Sequence, residues 1–324
     1  MYFVLDYDHL NNSFILKIKN LVKTYKGGIR ALDGLNYQVR DGEIFGLLGP
    51  NGSGKTTSIN CLLSLLDYEE GEISIFEKPM TSTSYDIKKD IGVVGQYVAV
   101  FDELNVYENI DYFCSLYVSD KEKRKELVEE AIKFTSLEEY RKLLPKKLSG
   151  GTLRRLHIAC GIAHKPKLII LDEPTVGVDP QSRNKILEGI KDLNRHGATI
   201  IYTSHYMEEV EQLCDYILIM DKGKVIAEGS KEDLKASITL GETIEITLPT
   251  PNDSILDEIR KIANVTYANI HGDVLTVKSG KGKSNIPNVL KILDHAQIEY
   301  ERVVSEQPTL NDVFLELTGK ELRD

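Results

Sequence analysis

The sequence predicts an α/β protein, a mixed sheet carrying a helical subdomain, followed by a small α+β domain. Three observations predict it. A strand, a glycine loop and a helix follow one another around Gly49-Pro50-Asn51-Gly52-Ser53-Gly54-Lys55-Thr56-Thr57, the G-x-x-x-x-G-K-[ST] pattern of a phosphate-binding loop. Two later apolar runs, 168–171 and 200–202, are unbroken and end in polar residues, as strands buried on both faces of a parallel sheet do. After residue 230 the pattern turns to short alternating strands separated by helices. The expected division is an N-terminal extension over 1–14, a principal domain over 15–230 with its helical subdomain at about 97–165, and an α+β domain over 231–324.

A chain of 324 residues has room for two cores, and its 41% hydrophobic and 28% charged composition is that of a soluble globular protein. A net charge of −10 argues against a partner held by nucleic-acid phosphates, which needs a basic face. Cys61, Cys114, Cys160 and Cys214 form no C-x-x-C pair, so neither structural zinc nor a disulfide framework is expected. No apolar run reaches the ~18 residues that cross a bilayer. Residues 1–13 lack the basic start and apolar stretch of a signal peptide. If the protein works at a membrane, another chain supplies the spanning helices.

Taken in order, 15–18 and 35–39 alternate in strand fashion and suggest a hairpin. Between them Tyr25 can stack on an adenine ring, or simply pack beside its glycine turn. The apolar run 43–48 suits a buried strand. The glycines that follow let backbone N–H groups approach a phosphate chain, Lys55 reaches its outer phosphates and the Thr56 hydroxyl ligates Mg²⁺. Ile59, Leu62, Leu63 and Leu66 put a helix over 56–66. The strand-like run 91–96 ends in Gln96, an amide able to touch Mg²⁺ and an attacking water, or to face solvent. Helix 105–118 carries Tyr107, Tyr112, Phe113 and Tyr117, a core face or a docking face, and 121–134 is a charged, solvated helix.

Leu148-Ser149-Gly150-Gly151-Thr152 opens another helix and so makes a second anion site of the same physics. Two such sites a hundred or so residues apart can serve one nucleotide if two copies pack head to tail. Asp172 and Glu173 end the run 168–171, where α/β sheets bind ligands. Asp172 suits Mg²⁺, and Glu173 suits the general base that polarises water. Asp179 lies in a Val-Asp-Pro turn able to bridge to a partner copy. His205, ending 200–205, can donate to a γ-phosphate oxygen, or be structural.

Together these residues resemble the ATP-binding-cassette (ABC) ATPases over roughly 15–230. In the terms of that family Tyr25 is similar to the A-loop aromatic, 49–57 to Walker A, Gln96 to the Q-loop, 148–152 to the signature motif, 168–173 to Walker B, 176–180 to the D-loop, and His205 to the switch histidine. The resemblance implies a P-loop NTPase cassette with ATP and Mg²⁺ between two head-to-tail copies. Lys55, Thr56, Gln96, Asp172, Glu173 and His205 would act within one copy, and Ser149 and Gly151 would face the partner's γ-phosphate. It also implies that the segment after Gln96 touches a membrane partner. The chain departs from the usual L-S-G-G-Q in having Thr152 at the fifth position, which puts the glutamine's contribution near the ribose in doubt.

In the last part, strands at 244–248, 265–270, 274–277 and 298–304 and helices at 254–263 and 286–295 run in βαββαβ order, that of a ferredoxin-like module. A final helix starts with Thr309 and Asp312 spaced as a capping box. The tail 308–318 resembles the daunorubicin-resistance-type branch of ABC ATPases, which pair with a separate type-2 permease and mostly act in export. Dimer contact, or else regulation of cassette closure or ligand sensing, are the roles expected of it. The reading is therefore an ATPase motor subunit of an ABC transporter, cytoplasmic and peripheral on the inner face of the membrane through an unlinked permease, dimerising with an identical or paralogous cassette. The alternative is a soluble ABC-type ATPase acting on ribosomes or DNA. Relatives of that kind usually carry two cassettes or long insertions, whereas this chain has one uninterrupted cassette.

Overall fold

The computed structural model describes residues 13–319. Most of the N-terminal extension expected over 1–14 lies outside the described residues. Contacts divide the chain into two units that meet at the Ser230–Lys231 bond.

In the first unit, β1 (Phe14–Tyr25), β2 (Ile29–Arg40), β4 (Glu70–Ile75) and the short β5 (Lys78–Pro79) form an antiparallel sheet in the order β2-β1-β4-β5. The hairpin expected from 15–18 and 35–39 is longer than its alternation suggested, and Tyr25 is its last paired residue. The second sheet holds β6 (Ile91–Val94), β3 (Ile44–Leu48), β7 (Leu168–Asp172), β8 (Thr199–Ser204), β9 (Tyr216–Asp221) and β10 (Lys224–Gly229), in the order β10-β9-β3-β8-β7-β6. All its neighbours pair in parallel except β9 and β10. Strands β3, β7 and β8 are buried along their whole length, which is why they read as unbroken apolar runs.

Register decides what meets at the sheet's end. Leu48 pairs with Ser204, Asp172 with Thr203, and Leu171 with Val94. The carboxyl ends of β3, β8, β7 and β6 therefore come level, and the loops that follow them converge. Helix α1 (Lys55–Leu62) packs its Ile59, Cys61 and Leu62 into the core between the sheets. It stops short of the expected residue 66. Ser64 turns to φ +51° and its N–H closes on the Cys61 carbonyl.

The helical subdomain comprises α3 (Val106–Ser115), α4 (Lys121–Phe134) and α5 (Gly150–Ile162), after a single turn, α2 (Tyr85–Lys88). Asn105 and Glu108 form a capping box on α3, and Asp120 caps α4. Their common core is Val106, Ile110, Leu127, Val128, Ile132, Leu156 and Ala159. The aromatic face of α3 is divided: Tyr107 and Phe113 lean on this core, while Tyr112 and Tyr117 stay exposed. Helices α6 (Pro180–Arg195) and α7 (Met207–Leu213) complete the unit. No helix among the described residues is long and apolar enough to cross a membrane.

The second unit contains α8 (Lys231–Ser237), β11 (Leu240–Thr247), α9 (Leu256–Ile259), β12 (Val265–His271), β13 (Val274–Gly280), α10 (Ile286–His295), β14 (Arg302–Glu306) and α11 (Leu310–Thr318). Its antiparallel sheet runs β12-β13-β11-β14, the ferredoxin-like order, over a core of Ile244, Ile246, Ile259, Leu275, Val277, Val289 and Leu293. Two elements differ from expectation. The helix over 254–263 contracts to a 3₁₀ turn plus α9, because the Ile262 N–H closes back on Ile259 and the next turn, from Ile262 to Val265, contains Asn264 at φ +67°. The strand over 298–304 becomes 302–306, because Ile298 donates to the Leu293 carbonyl and finishes α10 instead. Thr309 and Asp312 form the expected capping box on α11.

Candidate nucleotide site

The loop after β3 is shaped by glycine where nothing else fits. A Cβ on Gly49 would run into the Met220 carbonyl oxygen, and Gly54 caps α1 at φ +109°, a conformation other residues rarely adopt. The loop's N–H groups and the start of α1 then form a cradle for an anion. Lys55 lies inside it. Its ammonium donates to the Gly49 carbonyl at 2.8 Å and the Pro50 carbonyl at 3.3 Å, and sits 3.3 Å from Glu173 Oε1. Burial pushes the Lys55 pKa down, against the upward pull of Glu173.

Around Lys55 the ends of the other strands supply a connected set. Thr56 Oγ1 donates to Asp172 Oδ2 at 3.0 Å, and Thr203 Oγ1 donates to Asp172 Oδ1 at 2.6 Å. Gln96 Nε2 donates to Glu173 Oε2 at 3.1 Å. His205 Nδ1 lies 3.4 Å from Glu173 Oε1, close but not aligned as a hydrogen bond. Glu173 is itself unusual, with its backbone at φ +48° and its N–H donating to Thr203 Oγ1 at 2.9 Å. Beside this set, Tyr25 OH meets Thr57 Oγ1 at 3.2 Å, with the ring 41% exposed.

The structure thus brings Lys55, Thr56, Gln96, Asp172, Glu173 and His205 together. Ser149, Gly150, Gly151 and Asp179 form a second group. Ser149 caps α5 through the Thr152 N–H, Asp179 caps α6 through the Ser182 N–H, and Gly151 packs on Ser182 and Asp179. Asp179 is held below the ordinary carboxylate range by its bonds to Ser182. Ser149 and Gly150 are exposed. Thr152, the departure from L-S-G-G-Q, is buried, with its hydroxyl against Ser149 Oγ at 2.9 Å and accepting from Arg155 at 3.2 Å.

Three residues of this machinery escaped sequence reasoning. Thr203 is one of two polar residues closing a strand, and only the pairing of β7 with β8 sets it against Asp172. Arg154, buried on α5, donates to the carbonyls of Gly95, Gln96, Asp172, Glu173 and Pro174. Glu209 on α7 is buried and accepts from Thr175, Tyr202 and Ser204, and Arg183 lies 3.2 Å away. One arginine of the Arg154-Arg155 pair after a glycine turn and a glutamate in an acidic helix carry no signal in the sequence.

As donors, the Thr56 hydroxyl, the Asp172 carboxylate and the Gln96 amide oxygen are hard oxygen ligands, the kind Mg²⁺ takes beside substrate phosphates. The residues fit that ion.

Comparison with known proteins gives the setting. The ABC transporter family model matches residues 32–176, and the model for the C-terminal domain of DrrA1-3-like ATP-binding proteins matches 229–318. The chain is similar to the linearmycin resistance ATP-binding protein LnrL of Bacillus subtilis, with 37% identity over 96% of this chain and 100% of that one. It is 33% identical to the daunorubicin resistance ATP-binding protein DrrA3 of Streptomyces coeruleorubidus, over 92% of this chain and 94% of the relative. With the Nod factor export ATP-binding protein I of Burkholderia orbicola it shares 34% identity over 95% of this chain and 98% of the relative. Among solved structures, cbiO1 from Clostridium perfringens, part of the ABC transporter complex cbiONQ, superposes with a TM-score of 0.64 at 30% identity, covering 69% of this chain and 91% of that one. The dimeric post-hydrolysis cassette MJ0796, bound to ADP and Pi, superposes at 0.61 and 30% identity, covering 66% of this chain and 98% of that one.

Proposed function

Since the chain belongs to the ATP-binding proteins of ABC transporters, in the branch with a DrrA1-3-like C-terminal domain, and is an ATPase, we propose that it is the motor subunit of an exporter. It would couple Mg·ATP binding and hydrolysis at a head-to-tail cassette dimer to translocation by a separate permease. It would sit at the cytoplasmic face of the membrane, held there by that permease. The names of its relatives, for drug resistance and Nod factor export, support the outward direction.

The observation that carries the reading is the convergence of Lys55, Thr56, Gln96, Asp172, Glu173 and His205 on the ends of neighbouring parallel strands. The phosphate chain of ATP enters the cradle of residues 49–54 and the start of α1, and Lys55 moves from Glu173 and the loop carbonyls onto its outer phosphates. Thr56, Asp172 and Gln96 would hold Mg²⁺, which when bound would supply neutralisation of the charge on those phosphates. Glu173, freed of the ammonium, accepts the proton of the attacking water. His205, beside the same Glu173 oxygen as Lys55, donates to the γ-phosphate. Tyr25 turns from Thr57 to stack on the adenine. Ser149 and Gly150, exposed at the start of α5 with Gly151 buried behind them, would face the γ-phosphate of a partner copy, next to that copy's Asp179. The exposed Tyr97, Phe101, Tyr112 and Tyr117 suit the permease contact, since large solvent-facing aromatics clustered on one segment mark interaction sites.

Replacing Glu173 by Gln tests this directly. The expected result is steady-state ATP hydrolysis lower by at least about a hundredfold, the usual contribution of a general base, with Mg·ATP binding retained. Undiminished turnover would remove Glu173 from that role.

A further inference from the structure

We propose that Arg154 is a positioning residue, which ties the start of helix α5 to the backbone that presents Glu173 and Gln96. The proposal rests on the function given above. Arg154 lies a turn into α5, just after the Ser149-Gly150-Gly151 start that would face a partner's nucleotide. Its side chain turns inward and is 3% exposed. Nε donates to the Pro174 carbonyl at 2.7 Å. One terminal nitrogen donates to the carbonyls of Gly95 at 3.0 Å and Gln96 at 2.9 Å, and the other to those of Glu173 at 3.0 Å and Asp172 at 3.3 Å. Every N–H of the guanidinium fork is thereby used on main-chain carbonyls, from two loops that are remote in sequence.

Such a contact is costly unless it does something. The buried cation has no ion pair with any described carboxylate, and its partners are the main-chain carbonyls and, at 3.4 Å, the His157 ring nitrogen. What these carbonyls share is position. They belong to the two segments that carry Gln96 and Glu173, and Glu173 holds a left-handed backbone that needs support. Thr203 fixes the N–H side of Glu173 and Arg154 fixes its carbonyl side. A shift of α5 on engaging a partner copy would therefore be delivered to the base and to the glutamine together, through a rigid planar fork. Lysine has the charge but only three donors and no fork, so it cannot hold both segments.

The test compares the full chain with Arg154→Lys and Arg154→Gln, reading kcat, the dissociation constant for Mg·ATP and the thermal midpoint. Ile158→Ala, a core substitution on the same helix, supplies a destabilised control. The expected result is a kcat at least about 30-fold lower, because small misplacements of reacting groups cost rate steeply. Mg·ATP affinity should stay within about threefold, and the control should keep its kcat at a comparable thermal midpoint. A kcat near that of the unaltered chain overturns the proposal. So does a loss that tracks the thermal midpoint as it does in Ile158→Ala, or failure of both Arg154 variants to fold, since either assigns the residue to stability alone. Glu173→Gln in the same assay separates the two readings: full turnover there would sink the assignment of the base, whatever Arg154 does.

Discussion

At Glu173 one residue is held from every side. A non-glycine backbone at φ +48° costs on the order of 1–3 kcal/mol and persists only where its surroundings enforce it. Thr203 illustrates that enforcement, accepting from the Glu173 N–H while donating to Asp172, so its hydroxyl hydrogen has one possible direction. His157, one turn along α5 from Arg154, shows the electrostatic side. Burial, and then the neighbouring Arg154 charge, press its pKa down from the ordinary 6.5 to about 4. The unfolded chain then binds a proton that the folded chain refuses, so stability falls as pH drops from about 6.5 towards 4. His157→Gln should flatten that part of the curve by up to about 3 kcal/mol, read as the difference between urea midpoints of the two proteins over this range. Identical slopes would mean that His157 titrates normally. The positions of Glu173 and Asp172 were legible, because a strand end is a local feature. Thr203, Arg154 and His157 were not, because what they touch lies on other strands and helices.

Among elements, the seating of α5 on β6 matters most to the site, since α5 carries both the Ser149-Gly150-Gly151 turn and Arg154. Two glycines make the seat. A Cβ on Gly92 of β6 would strike the Gly161 carbonyl oxygen and come within 2.6 Å of Pro166, and one on Gly161 of α5 would come within 2.8 Å of Val94. Gly92→Ala should therefore push the helix off the strand. The expected cost is about 1–3 kcal/mol, the usual range for overpacking, with a parallel drop in ATPase rate. Denaturant unfolding checks the first and initial rates the second, and an unchanged midpoint would show that the helix accommodates the methyl. Helix limits in the sequence were readable where a cap announces them, as at Asn105, Asp120 and Thr309. The end of α1 was misjudged because apolar spacing continues past Ser64, whose positive φ turns the chain; α9 and the start of β14 were misjudged because Ile262 closes a tighter turn and Ile298 is drawn back onto the end of α10.

On the scale of the whole molecule, the two helix starts expected to bind anions belong to separate groups. Ser149 and Gly150 face solvent; Ser149 bonds to Thr152, and Gly151 behind them packs on Ser182 and Asp179. In the head-to-tail dimer proposed above, a second copy covers that surface. Glu173→Gln with Mg·ATP should therefore sediment at twice the monomer mass, and should return to monomer without nucleotide or when Ser149→Arg is added. A monomer under every condition would reject the head-to-tail dimer. The unit from Lys231 onward has its own sheet and core.

By itself the sequence determined the chemistry, since a phosphate loop, a strand-end carboxylate pair and a capped glycine turn are each built from neighbouring residues whose backbone geometry follows from their identity. The tertiary structure alone decided the wiring. The strand order β10-β9-β3-β8-β7-β6 places neighbours that are far apart along the chain. Thr203 against Asp172, and Arg154 beneath Glu173 and Gln96, exist only once those strands pair and α5 settles on β6, because pairing across such distances in sequence leaves no periodic trace in the residues themselves.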